Sequence, residues 1–239
     1  MADDDFETGD LFQDPEGYYP PEEQPTFAEH QMLSGQTVRG NLLWNAGRTS
    51  AHYIEERADT LIRDKDVLEI GAAAGVPSIV SAIMGARTTV MTDYPDVDLV
   101  QNMQYNADLA ADKIQSQSKL HVEGYKWGST PASFDVLIMA DVVYAWREHG
   151  NLIKTMQMAL KKDPSAVALV IFTPYQPWLL PQTEKFFPLA ESSGFTVTKI
   201  FEKLMGDVLF EDDPGDEKLR RTVFGYELRW APDQLESNA

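Results

Sequence analysis

Glu69, Gly71, Gly75 and Asp93 have the types and spacing that point to chemistry in this 239-residue chain. The pattern Glu-x-Gly-x-x-x-Gly, from Glu69 to Gly75, sets two glycines in a loop where backbone can approach a ligand with no Cβ in the way. Asp93 stands 22 residues after Gly71, and an acid there can accept hydrogen bonds from ribose hydroxyls. The set suits a crevice for a nucleotide-bearing cofactor. It is not the dinucleotide fingerprint Gly-x-Gly-x-x-Gly, because Ala73 stands at the middle glycine and Val76 at the sixth position.

These residues need elements to hold them. Val67, Leu68 and Ile70 form a short apolar run fit for a buried parallel strand. Ile79, Val80, Ile83 and Met84 recur at helical spacing, and residues 88–92 form a second strand with Asp93 at its carboxyl end. A helix over residues 48–63 is predicted before this unit. Pro95 opens a helix after it, with Leu99, Val100 and Met103 on one side. Further strands are predicted at 120–125, 134–139 and 166–172, with helices at 152–160 and 183–192. Residues 195–201 and 222–230 alternate more and suit an antiparallel pair. The alternation predicts an α/β fold: a Rossmann-like, doubly wound, mostly parallel seven-stranded sheet with an antiparallel C-terminal strand pair. Asp141-x-x-Tyr144 follows the fourth strand, at the sheet edge where ligands bind in open α/β folds. The Asp141 carboxylate can orient an amine and the Tyr144 ring can receive a cationic nitrogen, while a plain helix N-cap at Asp141 is the competing role.

Bulk properties narrow the function. Hydrophobic residues make up 43%, enough for a full core in one domain over residues 26–230. Residues 1–25 read as an acidic, proline-containing, partly disordered segment, and 231–239 as a disordered tail. There is no cysteine, so disulfides, thiolate zinc sites and cysteine nucleophiles are excluded. The four histidines show no ligand spacing and read as surface or cap residues, so no metal is expected. No apolar run approaches the roughly 20 residues of a membrane span, and the acidic start is neither a secretory signal nor a transit peptide. The expected location is the cytoplasm. Net charge is −18, and residues 1–30 hold ten acids with no Lys or Arg. Such a field repels a phosphate backbone and attracts a basic protein.

Several stretches carry a more specific signal. They are Leu42-Leu43-Trp44-Asn45-Ala46-Gly47, the loop Gly71-Ala72-Ala73-Ala74-Gly75-Val76-Pro77-Ser78, Thr92-Asp93-Tyr94-Pro95-Asp96, Asp141-Val142-Val143-Tyr144, and two closing runs, 213–223 and 225–230. The loop resembles the first motif of class I S-adenosylmethionine-dependent methyltransferases. Together the stretches resemble methyltransferase family 16, the seven-β-strand lysine methyltransferases, over most of residues 10–230. The resemblance implies S-adenosyl-L-methionine as cofactor, with contacts at Trp44, Gly71, Ala72, Ala73, Asp93, Trp127 and Ala140. Glu69, Gly75 and Tyr94 join them from the same motifs. Gly71 to Ala73 would present backbone to the methionine part and ribose, Trp127 would cover the adenine, and Trp44 would close the site. Asp141, Tyr144 and Trp146 fall on the amine side. The family's Asn-His pair after the tyrosine is Ala145-Trp146 here, whereas Glu148-His149 is kept. The resemblance further implies a monomeric protein methyltransferase acting on the N-terminal α-amine and adjacent lysine of translation elongation factor 1-alpha. A small-molecule N-methyltransferase acting on nicotinamide or another amine, and a non-catalytic cofactor-binding module, stay open beside it.

Overall fold

Aliphatic runs too apolar for a surface form the centre of a seven-stranded sheet in the computed structural model, which describes residues 44–129, 132–209 and 213–236. The acidic segment 1–25, Leu42-Leu43 and the last three residues of the expected tail lie outside the described residues. The strands are β1 (Asp66–Ile70), β2 (Thr88–Asp93), β3 (Lys119–Gly124), β4 (Val136–Ala140), β5 (Val167–Phe172), β6 (Phe195–Leu204) and β7 (Thr222–Trp230). Their order is β3-β2-β1-β4-β5-β7-β6. β1 to β5 pair in parallel, and β7 runs antiparallel to both β5 and β6. The predicted class therefore holds. The last strand of the chain slips between β5 and β6, an insertion that local pattern does not reveal.

Every residue of β4 and β5 is buried, and their side chains divide by period two between two cores. Leu137, Met139, Val170 and Phe172 face the helices α5 (His149–Ala159) and α7 (Phe186–Ser192). Ile138, Leu169 and Ile171 face α1 (Asn45–Glu56) and α2 (Ala58–Leu61). A smaller cluster of Ala72, Met91, Met103 and Ala107 joins β2 to α4 (Val97–Leu109). α3 (Val76–Ile83) starts after a left-handed Gly75 and carries Pro77 in its first turn, where a missing N–H costs nothing. Asp96 caps α4 by accepting from Asp98 N at 2.9 Å and Leu99 N at 3.2 Å.

The structure departs from the expected elements in four places. The single helix expected at 48–63 is two, because the chain leaves helical angles at Arg57 (φ −119°, ψ 17°). The helix expected at 183–192 is likewise split into α6 (Leu180–Thr183) and α7. Pro188 has no N–H for the Glu184 carbonyl, so the ladder cannot run through this point. A short helix α8 (Glu217–Arg221) precedes β7, capped by Asp216. Residues expected to fray at the end form α9 (Pro232–Glu236), whose Leu235 packs on the main core. At the amino-terminal edge of the sheet, Lys161 joins Asp66 and Asp135 at 3.0 and 2.9 Å. That ties β1 to β4 and leaves the opposite, carboxyl edge for the site.

Candidate active site

Three of the five parallel strands end at the carboxyl edge on or beside a residue of the predicted set. β1 runs into Gly71, β2 ends on Asp93, and β4 ends on Ala140 with Asp141 following. The loop from Gly71 to Gly75 is wound tightly, with φ of +69° at Gly71, +51° at Ala73 and +73° at Gly75. Its N–H groups go to fixed acceptors: Ala72 N to Thr92 O at 2.9 Å and Ala73 N to Asp93 Oδ2 at 2.7 Å. Its carbonyls meet two amides of α4. Asn106 Nδ2 donates to Ala74 O at 3.0 Å, and Asn102 Nδ2 reaches Ala73 O at 3.5 Å.

The two glycines serve the protein as well as any ligand. A Cβ on Gly71 would stand 2.5 Å from Val142 Cγ1 and 3.5 Å from Trp127 Cζ2. A Cβ on Gly75 would run into the Met91 side chain. A Cβ at either glycine thus collides with protein side chains, a constraint that adds to any the ligand imposes.

Glu69 is 1% exposed, and its Oε2 accepts from Ser78 N at 2.9 Å and Ser78 Oγ at 2.6 Å. It thereby satisfies a free donor in the first turn of α3. Burial pushes its carboxyl up to about 8, against the Ser78 bonds that favour charge. Asp93 Oδ1 accepts from Tyr94 N at 2.7 Å, so both of its oxygens already hold backbone. Burial raises its pKa too, with the Ala73 and Tyr94 bonds opposing.

A narrow cleft opens beside the loop. Its walls are Trp44, Gly47, Glu69, the loop residues 71–77 and Ala140. Asp93 and Tyr94 are joined to it through Ala73, and Trp127 through its approach to Gly71. Trp44 precedes α1 and meets the Tyr175 ring edge-on at 4.8 Å, while Asn45 N donates to Tyr175 Oη at 3.0 Å. These contacts fasten the start of α1 to the end of β5.

Asp141 holds a left-handed φ of +53°. Its Oδ1 accepts from Thr173 N at 2.8 Å, and its buried Oδ2 has no hydrogen-bond partner. The Ala46 N–H at the start of α1 faces the carboxylate and favours its charge. Burial nonetheless lifts the group to about 7. The N-cap role is not what forms. The one-turn helix that follows begins after Ala145, and Asp141 instead bridges β4, β5 and α1. Tyr144 is 54% exposed and Trp146 36% exposed, with the Arg147 guanidinium 4.7 Å over the Trp146 ring. The indole thus lies outward with one face covered by its neighbour.

The sequence alone did not single out Asn102, Asn106, Tyr175 or Thr173, and gave Val142 no part in shaping the glycine loop. Asn102 and Asn106 did carry a signal, since they are four apart on a helix and share one face. His149 is also corrected: it is buried, not a surface residue. Among the described residues no group of three or more His, Asp or Glu side chains could hold a metal ion. None of the helices among them is long and apolar enough to cross a membrane.

A family model described as lysine methyltransferase matches residues 28–189. The protein N-terminal and lysine N-methyltransferase of Emericella nidulans is 69% identical over 252 residues, covering 95% of this chain and 97% of that protein. The protein of the same name from Aspergillus fumigatus is 68% identical, with 95% and 96% covered. That of Schizosaccharomyces pombe is 37% identical, with 95% and 98% covered. Among solved structures, the YcgJ protein of Bacillus subtilis has a TM-score of 0.57 at 12% identity, over 77% of this chain and 99% of that one. SMU.776 in complex with SAH has a TM-score of 0.52 at 14% identity, over 77% and 50%. At such identities these two structures share the fold and nothing finer.

Proposed function

Because the chain belongs to the lysine methyltransferase family, we propose that it transfers methyl groups from S-adenosyl-L-methionine to a protein α-amine and to the lysine beside it. The substrate in this reading is translation elongation factor 1-alpha, met in the cytoplasm by a monomeric enzyme. The observation that carries it is the 69% identity, over nearly the whole chain, to a protein named for both methylations. That the chain is an N-methyltransferase follows from the family; its cofactor and substrate are the finer steps.

The residues at the carboxyl edge fit the cofactor. The cleft is lined by the loop, Trp44 and Ala140, and among the described residues its lining has no cluster of cations suited to a pyrophosphate. The backbone of Gly71 to Ala73 would lie along the methionine part and ribose, with Glu69 behind it and Gly75 turning the chain into α3. Each Asp93 oxygen keeps a second lone pair beyond its backbone bond, which ribose hydroxyls would use. Tyr94 would border the ribose, Trp127 would cover the adenine, and Trp44 would close the near side. Bound S-adenosylmethionine supplies a methyl group on a sulfonium, ready for in-line displacement by a nitrogen lone pair.

The protein's remaining tasks are to align the amine and keep it unprotonated. An α-amine has a reference pKa of about 7.7–8.0 against about 10.4 for lysine, so the terminal amine needs less help. Asp141 would orient the amine with a buried carboxyl at the end of β4 that burial lifts to about 7, so that it could also accept a proton. Tyr144 and Trp146 offer exposed aromatic faces to a cationic segment. Their open position suits a protein chain better than a small enclosed amine. The net charge of −18 draws basic segments toward the enzyme.

The test is incubation with labelled S-adenosylmethionine and elongation factor 1-alpha, followed by mass spectrometry. Label on the terminal residue and the next lysine is expected. Turnover of nicotinamide without labelling of any protein overturns the protein-substrate reading.

A further inference from the structure

Two loops carry the residues assigned to opposite sides of the site, and both are tied to one helix. Gly128, next to Trp127, donates its N–H to Thr155 Oγ1 on α5 at 2.8 Å. Thr155 is fully buried, and its hydroxyl hydrogen goes to the Asn151 carbonyl at 2.9 Å. Gly128 has a φ of +78° and lies so close to α5 that a Cβ would meet Asn151 Oδ1 at 2.8 Å. The Trp127 loop is therefore seated on the helix without slack.

At the first residue of α5 the same thing happens to the other loop. His149 Nε2 lies 2.8 Å from the Val143 carbonyl, next to Tyr144. A carbonyl only accepts, so Nε2 carries the hydrogen. The ring is buried and meets Phe186 edge-on at 5.2 Å. Burial holds its pKa below the ordinary histidine value, with the bond to Val143 opposing. Each loop thus hands the peptide group beside its aromatic residue to a buried polar side chain of α5.

We propose that α5 sets the two loops in register, with Thr155 as the positioning residue for Trp127 and His149 as the positioning residue for Tyr144. The inference rests on reading Trp127 as cofactor-side and Tyr144 as amine-side. A hydrogen bond to a loop that moves as a unit governs where its neighbouring ring spends its time. Losing the bond weakens only the function that ring serves.

The experiment compares isosteric variants by calorimetric titration with S-adenosylhomocysteine and by steady-state methylation of a peptide beginning Gly-Lys. Thr155→Val should raise the Kd for S-adenosylhomocysteine about three- to tenfold, through the loss of the hydrogen bond from Gly128, with kcat at saturating cofactor close to native. Thr155→Ser keeps the hydroxyl and should bind as the natural chain does. His149→Phe should lower kcat/KM for the peptide by about tenfold while cofactor Kd stays within about twofold. His149→Gln is slimmer, keeps a donor, and should retain most of the activity; it also serves where His149→Phe does not fold. A Thr155→Val protein with unchanged Kd, or a His149→Gln protein as impaired as His149→Phe, overturns the role of α5. So does a fall of both functions together in proportion to lost thermal stability. Trp127→Ala and Tyr144→Ala separate the two levels. If they leave cofactor Kd and peptide kcat/KM unchanged, the assignment of the loops fails, whereas changed values there with silent Thr155 and His149 variants refute the positioning alone.

Discussion

Gly71→Ala tests whether the glycine loop is shaped by the protein or by the ligand. The added Cβ would stand 2.5 Å from Val142 Cγ1, well inside contact distance, and 3.5 Å from Trp127 Cζ2, which is ordinary contact. The backbone at φ +69° adds about 1–2 kcal/mol of strain for any L side chain. Overpacking against Val142 adds about 1–3 kcal/mol, and near the lower half of that range because one methyl can shift. The expected cost is about 3 kcal/mol, read as a lower urea midpoint at unchanged slope. Val142→Ala alone removes two buried carbons and should cost about 1.5 kcal/mol. In the double variant the clash is gone and the strain remains, so the two costs should fall short of additivity by about 1–2 kcal/mol. Strict additivity would refute the packing argument. Titration with S-adenosylhomocysteine then separates the two roles. Affinity lost in Gly71→Ala should return in the double variant, because Val142 and not the ligand opposes the Cβ. If it stays lost while the fold recovers, the Cβ meets the cofactor.

Asp93→Ala strips acceptors from the Ala73 and Tyr94 N–H groups and from the ribose, so affinity for S-adenosylhomocysteine should fall at least about tenfold by calorimetry. An unchanged value in a folded protein removes Asp93 from the site. Glu69 is raised from 4.5 to about 8 in the folded protein, so the folded state keeps a proton that the unfolded chain gives up over that span. Stability from this group is therefore full below the unfolded pKa and lost as pH rises through about 8. The melting temperature should fall between pH 5 and 8, and less steeply in Glu69→Gln, with Asp141 at about 7 supplying the remaining slope. Equal slopes in both proteins would show that Glu69 does not titrate there. Replacing Ala145 by Asn and Trp146 by His removes an indole that stands 36% exposed under Arg147, and should change the ratio of peptide to small-amine turnover. An identical profile would make the indole a surface packing group only. Peptide KM should rise with added salt if the −18 charge steers the substrate, and a salt-independent KM argues against steering.

The amino-acid order alone carries the class of fold and the edge on which the site lies, because both follow from local properties. A fully apolar run such as Val136 to Ala140 is legible as a buried strand wherever its neighbours sit, and a residue at its carboxyl end faces the ligand side in any doubly wound sheet. Glu69, Gly71, Asp93 and Asp141 could therefore be placed near one another without coordinates. What each of them touches could not. Gly71 yields to Val142, Glu69 is held by Ser78, Asp141 meets Thr173 and α1, and His149 turns inward to Val143. The insertion of β7 between β5 and β6 belongs with these. The partners lie far apart in the chain or across a loop whose path no periodicity encodes. Burial also reverses the ordinary expectation for a carboxylate, lifting Glu69 and Asp141 toward neutrality only because the packed sheet and helices exclude water from them.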